Sequence, residues 1–239
     1  EGSLFSPPKL STINIVMISV IKANGIPEPF DEAKVVSSIK RARIPQSLQH
    51  EVLSSIKSKL YNNMPTSEIY GIIVDSLGQS AEPYSKASYS LKQALMQLGP
   101  TGYPFEDFVS KLLESQGYKT LVRQILRGKC VSHEIDVIAE KNGKRSMIEA
   151  KFHNNPGTRS DVHVALYTHA RYQDLKEKYD LDEAWIVTNT KTTTDAVAYA
   201  DCVGMKTVSW SYPSIGSLRE MIEASELYPV TMVTSLSVA

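Results

Sequence analysis

Asp136, Glu149 and Lys151 are the residues whose types and spacing carry the clearest chemistry in this sequence. Two carboxylates converging at a sheet edge make a site for a hard divalent cation such as Mg²⁺, or Mn²⁺ in its place, because these ions take oxygen ligands. A cation held there binds a phosphodiester oxygen, lowers the pKa of a bound water and stabilises charge in the transition state. Lys151, two residues beyond Glu149, shares its strand face and can orient that water, help deprotonate it or hold the phosphate. The chemistry expected is metal-assisted phosphodiester hydrolysis. Glu-x-Lys alone is a weak pattern that also marks exposed, salt-bridged hairpin faces. Its weight here comes from the elements around it.

Those elements follow from periodicity. Alternation along a strand sends Glu149 and Lys151 to one face and Ile148, Ala150 and Phe152 to the other, toward a core. Asp136 lies on the preceding strand, and Asn142-Gly143 suits a tight hairpin turn between the two. Before them, Pro104 fits the first position of a helix carried by Phe105, Phe108, Val109, Leu112 and Leu113, and Gly117 ends it. Strands are expected at 119–126, 133–139 and 146–152, a helix at 160–178, a buried strand at 184–188, a helix at 192–202, a strand at 206–209 and a last helix at 217–224. The order αβββαβαβα predicts a mixed sheet flanked by helices over 99–239.

Gly102-Tyr103-Pro104-Phe105-Glu106, then Asp136 and Glu149-Ala150-Lys151, resembles the Mrr-type branch of the restriction-endonuclease-like PD-(D/E)XK nucleases over about residues 100–210. The resemblance implies that Asp136 and Glu149 bind Mg²⁺, that Lys151 assists the nucleophilic water and that Glu106 completes the catalytic set. Ile135 stands where the strict motif has proline. Left to helix chemistry, Glu106 is an acid favoured at a helix N-terminus.

Residues 13–98 have another character. A β-hairpin is expected at 13–30, turning at Asn24-Gly25, and four amphipathic helices follow. Asp31 caps the first, which carries Val35, Val36 and Ile39; Leu48, Val52, Ile56 and Leu60 mark the second. Ile69, Ile72, Ile73 and Leu77 mark the third, and Tyr84, Ala87, Leu91, Leu95 and Leu98 the fourth. Val20-Ile21-Lys22-Ala23-Asn24-Gly25, with Glu28-Pro29-Phe30-Asp31 and Lys34, resembles the start of an ATP-cone domain. The resemblance implies a regulatory site for ATP or dATP formed by Val20, Ile21, Lys22, Glu28, Asp31, Lys34 and Thr66. Two lysines suit triphosphate oxygens. The family commonly has Lys-Arg before the turn, and here Lys22-Ala23 removes one such partner. A plainer reading is a small bundle used for dimerisation. The fold class expected overall is α/β (α+β), an ATP-cone-like domain at 13–98 and a nuclease domain at 99–239.

Other residues are read more plainly. His133 and His153 flank the key strands and are expected to be satisfied structural histidines. Glu134 shares a face with Asp136 and is expected to be solvated. Lys119, Arg123, Arg127 and Lys129, with Arg159 and Arg171, form a local basic group that suits a phosphate backbone or an ordinary solvated face. Tyr167 and Tyr172 are expected to pack. The chain balances 26 Lys and Arg against 26 Asp and Glu, so any nucleic-acid affinity must be local. Its two cysteines, Cys130 and Cys202, form no CxxC pair, which argues against a zinc ribbon, and are expected to be reduced and largely buried. The apolar run at 13–21 is too short for a bilayer and lacks signal-peptide features. A cytoplasmic nuclease acting on double-stranded DNA is expected, with no membrane partner. It would work as a homo-oligomer, since cutting both strands in one event needs two sites. The alternative is a nucleotide-sensing module that binds nucleic acid without cutting it.

Overall fold

The computed structural model describes residues 18–42, 44–79 and 83–234. The start of the expected first strand, 13–17, lies outside them.

The first unit opens with β1 (Ser19–Ile21) and β2 (Pro27–Pro29), antiparallel with Val20 opposite Glu28. Gly25, at φ 78°, closes the turn by donating to the Lys22 carbonyl at 2.8 Å. That conformation suits glycine because it has no Cβ. A two-residue strand, β3 (Met64–Pro65), adds parallel to β1; it is too short to leave a periodic signal. Around this small sheet stand α1 (Glu32–Arg41), α2 (Gln46–Lys59), α3 (Thr66–Gly78) and α4 (Pro83–Met96). Asp31 caps α1 as expected, accepting from the Ala33 and Lys34 amides. Val20, Ile39, Val52, Ile56, Met64, Ile73 and Leu77 form the buried centre.

α4 serves two cores. Tyr89 packs on the first, whereas Leu91, Ala94 and Leu95 are buried in the second among Phe105, Leu112 and Ile148. The chemistry-bearing half is therefore joined to the first unit through apolar packing as well as through the chain.

The second unit comprises α5 (Tyr103–Ser115), β4 (Lys119–Arg127), β5 (Ser132–Lys141), β6 (Lys144–Lys151), β7 (Arg159–Ser160), α6 (Val162–Tyr179), β8 (Glu183–Thr188), β9 (Lys191–Thr192), α7 (Thr194–Cys202), β10 (Lys206–Val208), α8 (Leu218–Ser225) and α9 (Thr231–Thr234). The sheet order is β10-β8-β6-β5-β4. β4, β5 and β6 form an antiparallel meander, and β6, β8 and β10 run parallel. Asn142 and Gly143, both at positive φ, form the hairpin turn whose twist matches its strands. One sheet face carries Val137, Ile148, Ala150 and Val187 against Phe105 and Leu113 of α5 and Leu218 and Ile222 of α8. The other carries Ile135, Met147 and Ile186 against Ala165 and Leu175 of α6 and Ala200 of α7. This is the mixed, two-faced sheet expected from the sequence.

Three details differ. Ser160 belongs to β7, which pairs with β9, and α6 begins only after the Asp161 cap. α9 was not anticipated; Thr231 Oγ1 donates to the Ala94 carbonyl at 2.6 Å. Cys130 and Cys202 are exposed rather than buried, one in the β4–β5 loop and the other in the last turn of α7.

Candidate active site

Asp136 sits where two strand ladders break. Pairing between β5 and β6 runs from Lys141–Lys144 to Val137–Ile148 and stops. Continuing that register by one pair sets Asp136 opposite Glu149. There the side chain takes over from the backbone: Asp136 Oδ2 accepts from the Ala150 amide at 2.7 Å. On the other side, β4 and β5 pair at Val122–Val137 and again at Gln124–Ile135, skipping Arg123 and Asp136. Arg123 has φ 52°, a strained conformation for a non-glycine residue. Such strain persists only where surrounding contacts hold it. Here they do: the Arg123 guanidinium meets Asp107 at 2.8 Å and Glu106 at 3.4 Å, and lies over the Tyr103 ring.

Glu149 and Lys151 occupy alternate, partly buried positions of β6, while Ile148 and Ala150 are buried toward α5. Glu149 Oε2 accepts from Arg171 Nη1 of α6. Glu106, in the first turn of α5, is only 8% exposed.

The carboxylates feel one another. Burial, then the charges of Glu149 and Glu106, push Asp136 up to about 7, against the Ala150 hydrogen bond and the Arg171 charge. Burial raises Glu106 as well, opposed by Arg123 and reinforced by Glu134 and Asp107. A dication between Asp136 and Glu149 would offset this repulsion, and two carboxylates with water and phosphate oxygens make an ordinary Mg²⁺ shell. The oxygen-only donor set fits Mg²⁺ or Mn²⁺ rather than zinc. Among the described residues no three His, Cys, Asp or Glu side chains are gathered into a cation cage. Asp136 and Glu149, brought opposite one another by the register, are the pair that could hold a metal.

The flanking histidines are engaged structurally, as expected. His133 Nε2 lies 2.8 Å from Asp174. Burial would raise Asp174, but His133 and the Cys130 and Val131 amides pull it well below the usual carboxylate range. His153 bonds Ser160 Oγ at 2.9 Å, and burial, then the Lys151 charge, lowers its pKa. Glu134 is exposed. Of the β4 basic group, Lys119 and Arg127 are exposed, whereas Arg123 is held by Glu106 and Asp107. Tyr172 packs against the α6-side core, but Tyr167, one turn before Arg171, is 60% exposed, contrary to expectation.

The burial of one basic residue and the role of one asparagine were not legible in the sequence. Arg171 is buried beside Glu149 rather than forming part of a surface patch. Asn189 is fully buried just past β8, and its amide grips the His153 backbone at 2.9 Å on both N and O. It thereby extends the β6–β8 pairing beyond Lys151–Thr188 and fixes the chain that leaves the Lys151 strand. No periodicity marks an asparagine that substitutes for a backbone.

In the first unit, Val20, Lys22, Glu28, Asp31, Lys34 and Thr66 line one cavity of about 250 Å³ with Tyr70 and Tyr89. Ile21 is not among its lining residues. Lys22 and Lys34 both reach Glu28 Oε1, at 2.8 and 3.2 Å, and lower its pKa. Tyr70 and Tyr89 stack with ring centres 5.4 Å apart.

Known proteins match this architecture. The restriction endonuclease family (Mrr catalytic domain) matches residues 99–209, and the ATP cone domain matches residues 18–94. An uncharacterised protein of Archaeoglobus fulgidus is 44% identical over 125 residues, 52% of this chain and 71% of its own length. A crystal structure of a protein of unknown function shares 42% identity with a TM-score of 0.53, over 55% of this chain and 70% of that one. A repair endonuclease from Pyrococcus abyssi matches 42% of each chain at 16% identity and a TM-score of 0.34. The fold is that of a restriction-endonuclease-like domain. More particularly, the chain belongs to the proteins that join an ATP cone to an Mrr-type domain.

Proposed function

We propose that this protein is a Mg²⁺-dependent endonuclease acting on double-stranded DNA, with its rate set by ATP or dATP in the cone. One observation carries the reading: Asp136 and Glu149 meet where both ladders break, with Lys151 next along the face of Glu149. Asp136 and Glu149 are the residues to hold the cation, which when bound polarises the phosphodiester and its attacking water. Arg171 donates to Glu149 Oε2 and fixes the position of that carboxylate. Lys151 supplies an ammonium to orient that water or steady the phosphate. Glu106 adds a third negative group whose charge reaches Asp136.

Contacts between the two units support regulation. Asn189 Nδ2, which holds His153, also donates to Met96 Sδ at the end of α4, 3.1 Å away. The Asn154 amide donates to the Pro100 carbonyl at 3.1 Å. A Cβ at Gly99 would fall 2.8 Å from the Phe152 ring, so the linker lies directly on the segment after Lys151. A Cβ at Gly157 would meet Ala23, in the turn that follows Lys22, at 3.9 Å. The cavity-lining Tyr89 lies on the same α4 helix as Met96. A ligand that shifts that cavity has a short path to the Lys151 strand.

The test is a cleavage assay on supercoiled plasmid and on duplex RNA with Mg²⁺ or Mn²⁺, with and without ATP and dATP. Metal-dependent cutting of the plasmid, at a rate that the nucleotide changes, is expected. No cleavage under any combination would favour a nucleotide-sensing nucleic-acid-binding module instead.

A further inference from the structure

Arg171 is 7% exposed, and Glu149 is its one hydrogen-bond partner among the described residues. Its Cζ lies 5.0 Å from the centre of the Tyr167 ring, one helical turn earlier. Its Nε is buried with no partner. A buried guanidinium is costly unless its donors are matched, and its fork suits the oxygens of a carboxylate or phosphate. An arginine with a structural role alone would have its donors used. Arg145 shows that pattern at the sheet end, where it donates to the Tyr179 carbonyl and to Glu140.

Charge indicates what the unmatched donor awaits. Arg123 and Asp107 form a pair close to neutral. Counted with all three carboxylates ionised, as cation binding requires, Asp136, Glu149 and Glu106 face Lys151 and Arg171 with a formal charge of minus one. Adding a dication between Asp136 and Glu149 leaves it positive by one, the charge of a single phosphodiester. From Arg171 the same helix face leads outward to Tyr167, which is 60% exposed, and so opens to solvent. On the reading proposed above, we infer that Arg171 is a phosphate-binding residue of the active site: it is held by Glu149 and grips a non-bridging oxygen of the scissile phosphate when substrate arrives. It is thus a catalytic residue in addition to Asp136, Glu149 and Lys151, and Tyr167 supports its guanidinium from the solvent side.

The experiment compares the parent chain with Arg171→Gln and Arg171→Lys in three measurements: Mn²⁺ binding by calorimetry, binding of a short DNA duplex with Ca²⁺ in place of Mg²⁺, and cleavage at saturating Mg²⁺. Arg171→Gln is expected to bind Mn²⁺ at least as tightly as the parent, because a cation beside Glu149 is gone. Its duplex affinity should fall by about tenfold or more and its cleavage by about a hundredfold, as for other lost charge-stabilising donors. Arg171→Lys should recover part of the duplex binding, because it restores the charge without the fork. Mn²⁺ affinity that falls in step with cleavage would overturn the inference, since Arg171 would then act only by holding Glu149. So would duplex binding unchanged in both variants, with the parent reading intact. A parent that neither binds Mn²⁺ nor cuts DNA would overturn the nuclease reading and this inference together.

Discussion

Replacing Asp136 by asparagine should stabilise the metal-free protein while destroying its metal site. Burial and the facing carboxylates raise Asp136 from 3.8 to about 7, so its ionised form is disfavoured in the fold. At about 1.4 kcal/mol per pKa unit, that rise puts a ceiling of ~4 kcal/mol on what ionised Asp136 costs the fold above neutral pH. Relaxation and water entry reduce this, leaving an expected gain of ~1–3 kcal/mol for Asp136→Asn, or ~3–8 °C in Tm for a chain of this size. The asparagine keeps a carbonyl oxygen for the Ala150 amide, so the hydrogen bond now made by Oδ2 can survive. The pH window follows from the raised pKa. A protonated Asp136 stabilises the fold most fully below about pH 4, and that contribution is lost as pH rises through about 7. The advantage of Asp136→Asn must therefore appear at about pH 8 and vanish near pH 4. Thermal unfolding of both proteins in EDTA at the two pH values is the assay. A Tm at about pH 8 that is equal or lower in the variant, or a gain of equal size near pH 4, would refute the reasoning.

Three further outcomes follow from the same geometry. Mn²⁺ affinity should rise about tenfold per pH unit below 7 and level off above about pH 8, with proton release on binding, because the ligand must ionise first; calorimetry in buffers of different ionisation enthalpy reads this, and a flat profile from about pH 5 upward would contradict it. Asn189→Ala removes a fully buried grip on the His153 backbone and should cost about 1–3 kcal/mol in urea unfolding, with slower cleavage at unchanged Mn²⁺ affinity; a neutral result would show that the β6 end needs no such support. Lys34→Ala should weaken ATP or dATP binding by about tenfold in calorimetry, the effect of one lost charge-assisted contact, while leaving the fold intact; unchanged binding would remove Lys34 from the nucleotide site.

Much of the site was legible because strand alternation is rigid. Glu149 and Lys151 must share a face once Ile148 and Ala150 are buried, and Asn142-Gly143 sets the hairpin that brings β5 back beside β6. Helix signals were as direct: Asp31 caps α1, and Phe105, Val109, Leu112 and Leu113 bury the stripe their spacing announced. What escaped was decided by tertiary packing. Arg171 and Tyr167 share one face of α6 a turn apart, yet Arg171 is buried beside Glu149 whereas Tyr167 is exposed, a difference that helical spacing does not carry. Arg123 looked like a member of a basic strand, and nothing local announced its positive φ, which contacts with Glu106 and Asp107 sustain. The two-residue strands β3, β7 and β9 are too short to show any period. The double duty of α4 was equally hidden, since Leu91 and Leu95 continue the same apolar stripe whichever core receives them.

Cleavage of supercoiled plasmid by the parent and by Lys151→Ala, with Mg²⁺ and with EDTA, measures the chemistry of this site directly. The parent should cut with Mg²⁺ and not with EDTA, and Lys151→Ala, equally folded by circular dichroism, should be slower by about a hundredfold or more. Cutting by Lys151→Ala at the parental rate, or cutting by the parent that persists in EDTA, would place the reaction elsewhere than among Asp136, Glu149 and Lys151.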